Sequence, residues 1–265
     1  MNTIPEVVPP LPRKHNLNRG LERSAAFAWL RAGWNDFREK PALSLAYGAA
    51  VFFLSAVIIG GLFALGYESI LFPALAGFMV VGPLVAIGLY EKSRRIAAGE
   101  PVTLGQMIFV RPKSGGQILF IGALLCMLML LWMRAAVLLY ALFFGLRPFP
   151  GLDHIVGTLF TTPVGLALLV VGSAVGGLFA AFSFAISVLS VPMLLNERVD
   201  ALTAMGASMQ LVWNNLPVML TWGAIVLALF VACLVTGLLG MIVIFPLLGH
   251  ATWHAYSAVH RQPAD

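Results

Sequence analysis

The chain has 265 residues, of which 60% are hydrophobic and only 10% charged, with a formal net charge of +5 and a mean hydropathy of +0.93. Soluble domains carry about a quarter charged residues, so this composition excludes an ordinary soluble enzyme and describes a membrane protein; at roughly 20 apolar residues per crossing, about six spans fit. The two cysteines, Cys126 and Cys233, both lie inside apolar runs, which excludes a disulfide framework or a thiolate metal cluster.

Residues 1–20, MNTIPEVVPPLPRKHNLNRG, are rich in proline and charge, lack an apolar signal core, and read as a disordered cytoplasmic arm. Residues 21–260 read as a single transmembrane domain. It begins with LERSAAFAWLRAGWNDF, where Phe27, Leu30, Trp34 and Phe37 recur at helical spacing while Arg23, Arg31 and Arg38 fall on another side. That pattern predicts an amphipathic juxtamembrane helix on the cytoplasmic membrane surface. Spans follow at about 42–66 and 70–90, with Pro83 near the end of the second, and then a weaker surface helix in VTLGQMIFV.

The third span, 117–145, contains one charge, Arg134, in LLWMRAAVLLY. Counted from Ile118 at 1.5 Å per residue, Arg134 lies roughly 24 Å across, in the outer third of the membrane. Three roles are open to it. It is an internal pair or carbonyl cap, with Glu68 and Asp153 as candidate partners, a ligand or anion site, or a side chain snorkelling to the outer headgroups.

The fourth span, 163–191, carries GSAVGGLFAAFSFAIS, in which Gly172, Gly176 and Ala180 stand at four-residue spacing with Ser183 and Ser187 continuing the row. Small residues on one face let helix backbones approach closely, which predicts the most tightly packed helix of the bundle, either within the chain or against a second copy. Pro192 lies near its end, and ALTAMGASMQLVW reads as another surface helix. The apolar run from Pro217 to Leu248 is too long for one span, so it divides at Gly237 or Gly240 into spans at about 217–236 and 238–257. His250 and His254, four apart in GHATWHAY, share a helix face as metal or haem ligands do, although His, Trp and Tyr are also ordinary interfacial residues.

Basic residues distribute unevenly about these spans, with 14 on one side and only Arg147 on the other, Arg134 apart. The positive-inside bias therefore puts both termini in the cytoplasm. Internal similarity adds that GFMVVGPLVAIGLYEK, from Gly77, aligns on GMIVIFPLLGHATWHA, from Gly240, with Pro83 on Pro246, and that ISVLSVPMLLNERV repeats the idea with Pro192. The expected fold is all-α: a polytopic bundle of about six helices arranged as three diverged hairpins, with juxtamembrane helices between them. Pro83, Pro192 and Pro246 each remove a backbone donor and predict kinks where protein or water supplies the missing partner, as in the broken helices of transporters or in bundles merely shaped by a bend.

The chain has no glycine-rich phosphate loop, Ser-His-Asp order, HExxH motif or paired intramembrane carboxylates. No catalytic residue, cofactor or resident metal is assigned on this reading, and nucleic acid is not an expected partner. The expected partners are the lipid bilayer and other membrane proteins or a second copy.

GWNDFREKPALSLAYG, GPLVAIGLYEKSRR, LLWMRAAVLLYALFFG and PLLGHATWHAY together resemble the bacterial integral-membrane family catalogued as domain of unknown function 2189, from about Ala26 to Tyr256. The resemblance implies an inner-membrane protein without an established biochemical role. Some members of that family are labelled cytochrome c oxidase components. A haem-copper oxidase core has twelve helices and six ligating histidines including an adjacent pair, whereas here only His250 and His254 stand near a span. Three function classes result: a non-catalytic scaffold or accessory factor of a membrane complex, then a small-molecule or lipid transporter, then a haem- or redox-associated component of a respiratory complex.

Overall fold

The computed structural model describes residues 20–145 and 149–260, except for the side chains of Asp153 and His260. The arm expected over residues 1–20 therefore lies, apart from Gly20, outside the described residues. The helices in chain order are α1 (Ala25–Arg38), α2 (Pro41–Ala64), a short 3-10 turn (Glu68–Ile70), α3 (Leu71–Val85), α4 (Ile87–Ala97), α5 (Leu104–Ile108), α6 (Gly115–Phe144), α7 (Leu152–Thr161), α8 (Pro163–Ser187), α9 (Ser190–Asn196), α10 (Ala201–Asn214), α11 (Leu216–Val235) and α12 (Met241–His260). No strand occurs among the described residues.

Three hairpins organise the bundle: α2 with α3–α4, α6 with α8–α9, and α11 with α12. A surface helix stands before each, α1, α5 and α10 respectively. We call the end that carries these three helices the basic end. Among the described residues, five segments are long and apolar enough to cross a membrane: Pro41–Ala64, Glu68–Ala97, Gly115–Phe144, Pro163–Asn196 and Leu216–Val235. The turn expected at Gly237 or Gly240 is present, with Gly237 and Leu238 at positive φ, so the last apolar run is indeed two helices.

The sixth helix differs from expectation in its surroundings. Only the first half of α12 is apolar, and it is not among the membrane-length apolar segments. Its second half is wrapped by α1, α2, α4 and α9 rather than by lipid, which leaves Ala251 and Ala255 fully buried and Trp253 and Tyr256 nearly so. His250, Trp253 and Tyr256 of GHATWHAY are thus core residues, and His254 is partly exposed.

Close packing also concentrates on α12. A Cβ at Gly33 of α1 would lie 2.6 Å from the Ala251 backbone nitrogen, and one at Gly48 of α2 would lie against the Ile242 carbonyl. Glycine is required at both places because backbone meets backbone. Gly33 also explains the face α1 turns inward. Ala26, Trp29, Gly33 and Asp36 are buried, while Phe27 and Trp34 of the expected stripe are exposed on the outer side.

The α8–α9 segment is the most enclosed of the five apolar segments, 61% of its window being buried against 28% or less in the others. Enclosure comes from its second half, where Ser183 and the run Ile186 to Leu195 are buried. Of the two glycines in the expected small-residue row, Gly176 meets another helix closely, its Cβ position lying 2.8 Å from the Trp132 ring, while Gly172 has only its own helix within 4 Å. Helix α7, between the third and fourth spans, packs on α8, which is capped by Thr162, whose hydroxyl accepts from the Gly165 N–H at 3.0 Å.

Candidate functional site

Two of the three proline-bearing helices are broken, and side chains fill the breaks. Between α3 and α4 the Leu89 N–H bonds to the Ala86 carbonyl instead of continuing the α-helical ladder to Val85. The freed Val85 carbonyl accepts from the Tyr47 hydroxyl at 2.7 Å. Between α8 and α9, Ser208 enters the ladder itself: its hydroxyl donates to the Ala185 carbonyl at 2.7 Å and accepts from the Leu189 N–H at 3.3 Å. A side chain inserted between residues i and i+4 is a recognised cause of a helix bend. Around Pro246, α12 runs on without a break, and Gly48 lets α2 sit against the Ile242 carbonyl that the proline leaves without its donor.

At the basic end these helices enclose a polar cluster. Lys92 of α4 has no exposed surface, and its Nζ donates to Ser44 Oγ at 2.7 Å, to the Asp36 carbonyl at 3.0 Å and to the Lys40 carbonyl at 3.4 Å. The Asp36 carbonyl lies in the last turn of α1, where helical acceptors lack donors and the helix dipole favours a cation, and Lys40 is the residue that opens α2. Lys92 therefore caps α1 from another helix.

Ser44 Oγ is also 2.9 Å from His250 Nε2, and His250 Nδ1 is 2.8 Å from Ser93 Oγ. Ser44 accepts from Lys92 and keeps its own proton and a second lone pair for Nε2, so the two serine hydroxyls satisfy both ring nitrogens in either tautomer. One turn on, His254 Nε2 lies 2.8 Å from Asp36 Oδ2. Beside this chain, Glu91 is buried between Arg94 and Arg95, with both Arg94 bonds at 2.8 Å.

Hydroxyls thus occupy both ring nitrogens of His250, and Ser44, Lys92 and His250 are sealed from solvent. A buried and fully satisfied network fixes geometry. Here it pins α1, α2, α4 and α12 together and leaves neither serine able to meet a substrate.

A second feature, a cavity of about 130 Å³, opens between α3, α8, α11 and α12. It extends along α12 from Met241 to Thr252, roughly 16 Å at 1.5 Å per residue. Its wall is apolar, with Phe78, Phe184, Phe230 and Phe245 among the lining residues. Ala86 and Val188, the residues at the two helix breaks, both line it.

Arg134 lies apart from both features. Its side chain is exposed on α6 and makes no hydrogen bond or ion pair with a described residue, Glu68 included, so the internal pairing expected of it is not made there; the Asp153 side chain lies outside the described ones. Helical phase gives the reason. Ile118, Ile121, Leu125 and Trp132 form the inward stripe of α6, with Trp132 Nε1 donating to the Pro73 carbonyl at 3.0 Å. Two residues further on is a rotation of about 200°, which turns Arg134 outward.

Residues 71–196 match a family described as predicted integral membrane protein, domain of unknown function 2189. The match covers 126 of the 265 residues. The match is narrower than the resemblance read from Ala26 to Tyr256: it opens at the first residue of α3 and closes at the last residue of α9. The family domain thus contains both broken helices and Lys92 and Ser93 of the polar cluster, whereas Asp36, Ser44, His250 and two walls of the cavity lie outside the matched stretch. No curated protein and no solved structure matches this chain.

Lys92, Ser44, Ser93 and Asp36 are the residues that the sequence reading missed. Lys92 reads as one more charge following a span, and nothing local distinguishes it. Its partners are 48 to 56 residues away, and Ser44 and His250 are separated by 206.

Proposed function

We infer that this domain-of-unknown-function protein is a binding or carrier protein for a membrane-soluble molecule, which it holds in the cleft between α3, α8, α11 and α12. The observation that carries this reading is the convergence of two broken helices on one apolar cavity, at Ala86 and Val188. Broken helices at membrane depth are tolerated where they line a cavity, and in transporters they line the substrate site. The transporter class therefore moves ahead of the accessory-factor class.

Placement in a bacterial inner membrane, with the basic end and both termini cytoplasmic, is supported by the 14-to-one distribution of Lys and Arg about the spans. The accessory-factor reading keeps one supporting observation: α1, held firmly by Gly33 and Lys92, presents Phe27 and Trp34 outward, 60% and 41% exposed. A redox or haem role loses its main motive, because both ring nitrogens of His250 are occupied by hydroxyls and His254 is turned to Asp36.

The test is photolabelling of the purified protein in nanodiscs with an alkyl diazirine, followed by peptide mapping. Labelling that concentrates on cleft residues such as Phe184 and Phe245, and is competed by excess unlabelled lipid, supports the reading. Uniform labelling of the outer faces of α2 and α6 with none in the cleft contradicts it.

A further inference from the structure

The cleft has an asymmetry beyond its apolar character. Among the described side chains, one buried nitrogen or oxygen has no hydrogen-bond partner, Trp222 Nε1, and Trp222 lies in the cleft wall with none of its surface exposed. Tyr90, another wall residue and only 2% exposed, makes no hydrogen bond with a described residue through its phenol. Both are donors. The neighbouring Thr252 hydroxyl has already given its proton to the Leu248 carbonyl at 2.8 Å.

A buried donor without an acceptor is uncommon, and a cavity lined by one such donor together with an unbonded phenol asks for an acceptor. Both residues lie toward the basic end of the cleft, Trp222 in the second turn of α11 and Tyr90 at the start of α4, with the aromatic cage farther in.

Resting on the reading of the cleft as a lipophile site, we propose that its ligand is a carbonyl-bearing lipophile, whose oxygen accepts from Trp222 Nε1–H and Tyr90 O–H while its apolar body lies among the four phenylalanines. The carbonyl comes from a fatty ester or from a quinone ring. Water at these donors leaves the apolar length of the cleft unfilled, which a lipophile fills as well. Trp29 packs edge to face against Trp222, with ring centroids 6.0 Å apart, and anchors the indole from the side of α1.

The experiment titrates full-length protein in detergent by native mass spectrometry with four probes: a long-chain n-alkane, the ketone of equal length, a fatty acid methyl ester and a decyl-substituted benzoquinone. Wild type, Trp222→Phe and Tyr90→Phe are compared, each variant keeping an aromatic ring and losing the donor. The proposal expects at least one of the ester and the quinone, together with the ketone, to bind about tenfold or more tightly than the alkane, and expects each variant to lose most of that advantage while alkane binding holds. A preference between ester and quinone then names the source.

Equal binding of ketone and alkane, or a carbonyl advantage that survives both variants, overturns the proposal and leaves the cleft as a lipophile site. Failure of every probe to bind overturns the reading of the cleft as well. Trp222→Phe removes volume from a buried position, so Tyr90→Phe, a smaller change, decides the matter if the first variant fails to fold.

Discussion

Lys92 and Arg134 are both cations on long apolar segments, in opposite environments. Lys92 is fully enclosed and donates to three oxygens, among them the carbonyls of Asp36, in the last turn of α1, and of Lys40, at the start of α2. Arg134 faces outward with no described partner. Replacing Lys92 by Met leaves those carbonyls and Ser44 without their donor, whereas Arg134→Leu removes an exposed charge. Thermal unfolding in detergent should show Lys92→Met destabilised by about 2 kcal/mol or more and Arg134→Leu within about 0.5 kcal/mol of wild type, since buried charged hydrogen bonds are costly to break and exposed changes are not. Equal shifts for the two variants would contradict this assignment. The phase of Arg134 was legible in the sequence, because Ile118, Ile121, Leu125 and Trp132 mark the inward stripe. The burial of Lys92 was not, because every acceptor comes from a distant segment.

At the scale of elements, the prolines pointed to the right helices but not to the same outcome in each. The α3–α4 helix breaks three residues after Pro83, the α8–α9 helix breaks before Pro192, and α12 runs straight through Pro246. What decides between break and continuity is the partner available to the freed groups, and that partner comes from another element: Tyr47 on α2, Ser208 on α10, or the close approach of Gly48. Ser208→Ala should therefore expose the Leu189 amide, raising its hydrogen-exchange rate, and should destabilise the protein by about 1–3 kcal/mol. An unchanged exchange rate at Leu189 would show that the hydroxyl does not hold the break open. Elsewhere local signals were enough. Asp200 caps α10 by accepting from the Thr203 N–H at 2.9 Å, and the Thr203 hydroxyl together with that N–H holds its carboxyl below the usual range. Thr103 and Gln106 close a capping box on α5.

For the whole molecule, hydropathy and charge distribution gave an all-α polytopic bundle of three hairpins, and the description of the matching family agrees with a membrane protein. Among the described residues the membrane-length apolar segments number five because the second half of α12 is rich in His, Trp, Tyr and small residues, and other helices cover that half. Neither the polar cluster nor the cleft was legible, and for the same reason: each is assembled from four helices far apart in the chain, and periodicity within one helix cannot say which neighbour it will face. The two features divide the bundle's labour. The cluster fixes the basic end, and the cleft leaves an apolar volume with donors that have no acceptor. The most direct check on that division is the density in the cleft when the protein is imaged in nanodiscs made from native lipid. The account predicts elongated density between α3, α8, α11 and α12, ending within hydrogen-bond distance of Trp222 Nε1 and Tyr90 Oη. A cleft closed by its own side chains, with Trp222 Nε1 bonded to protein, would contradict it.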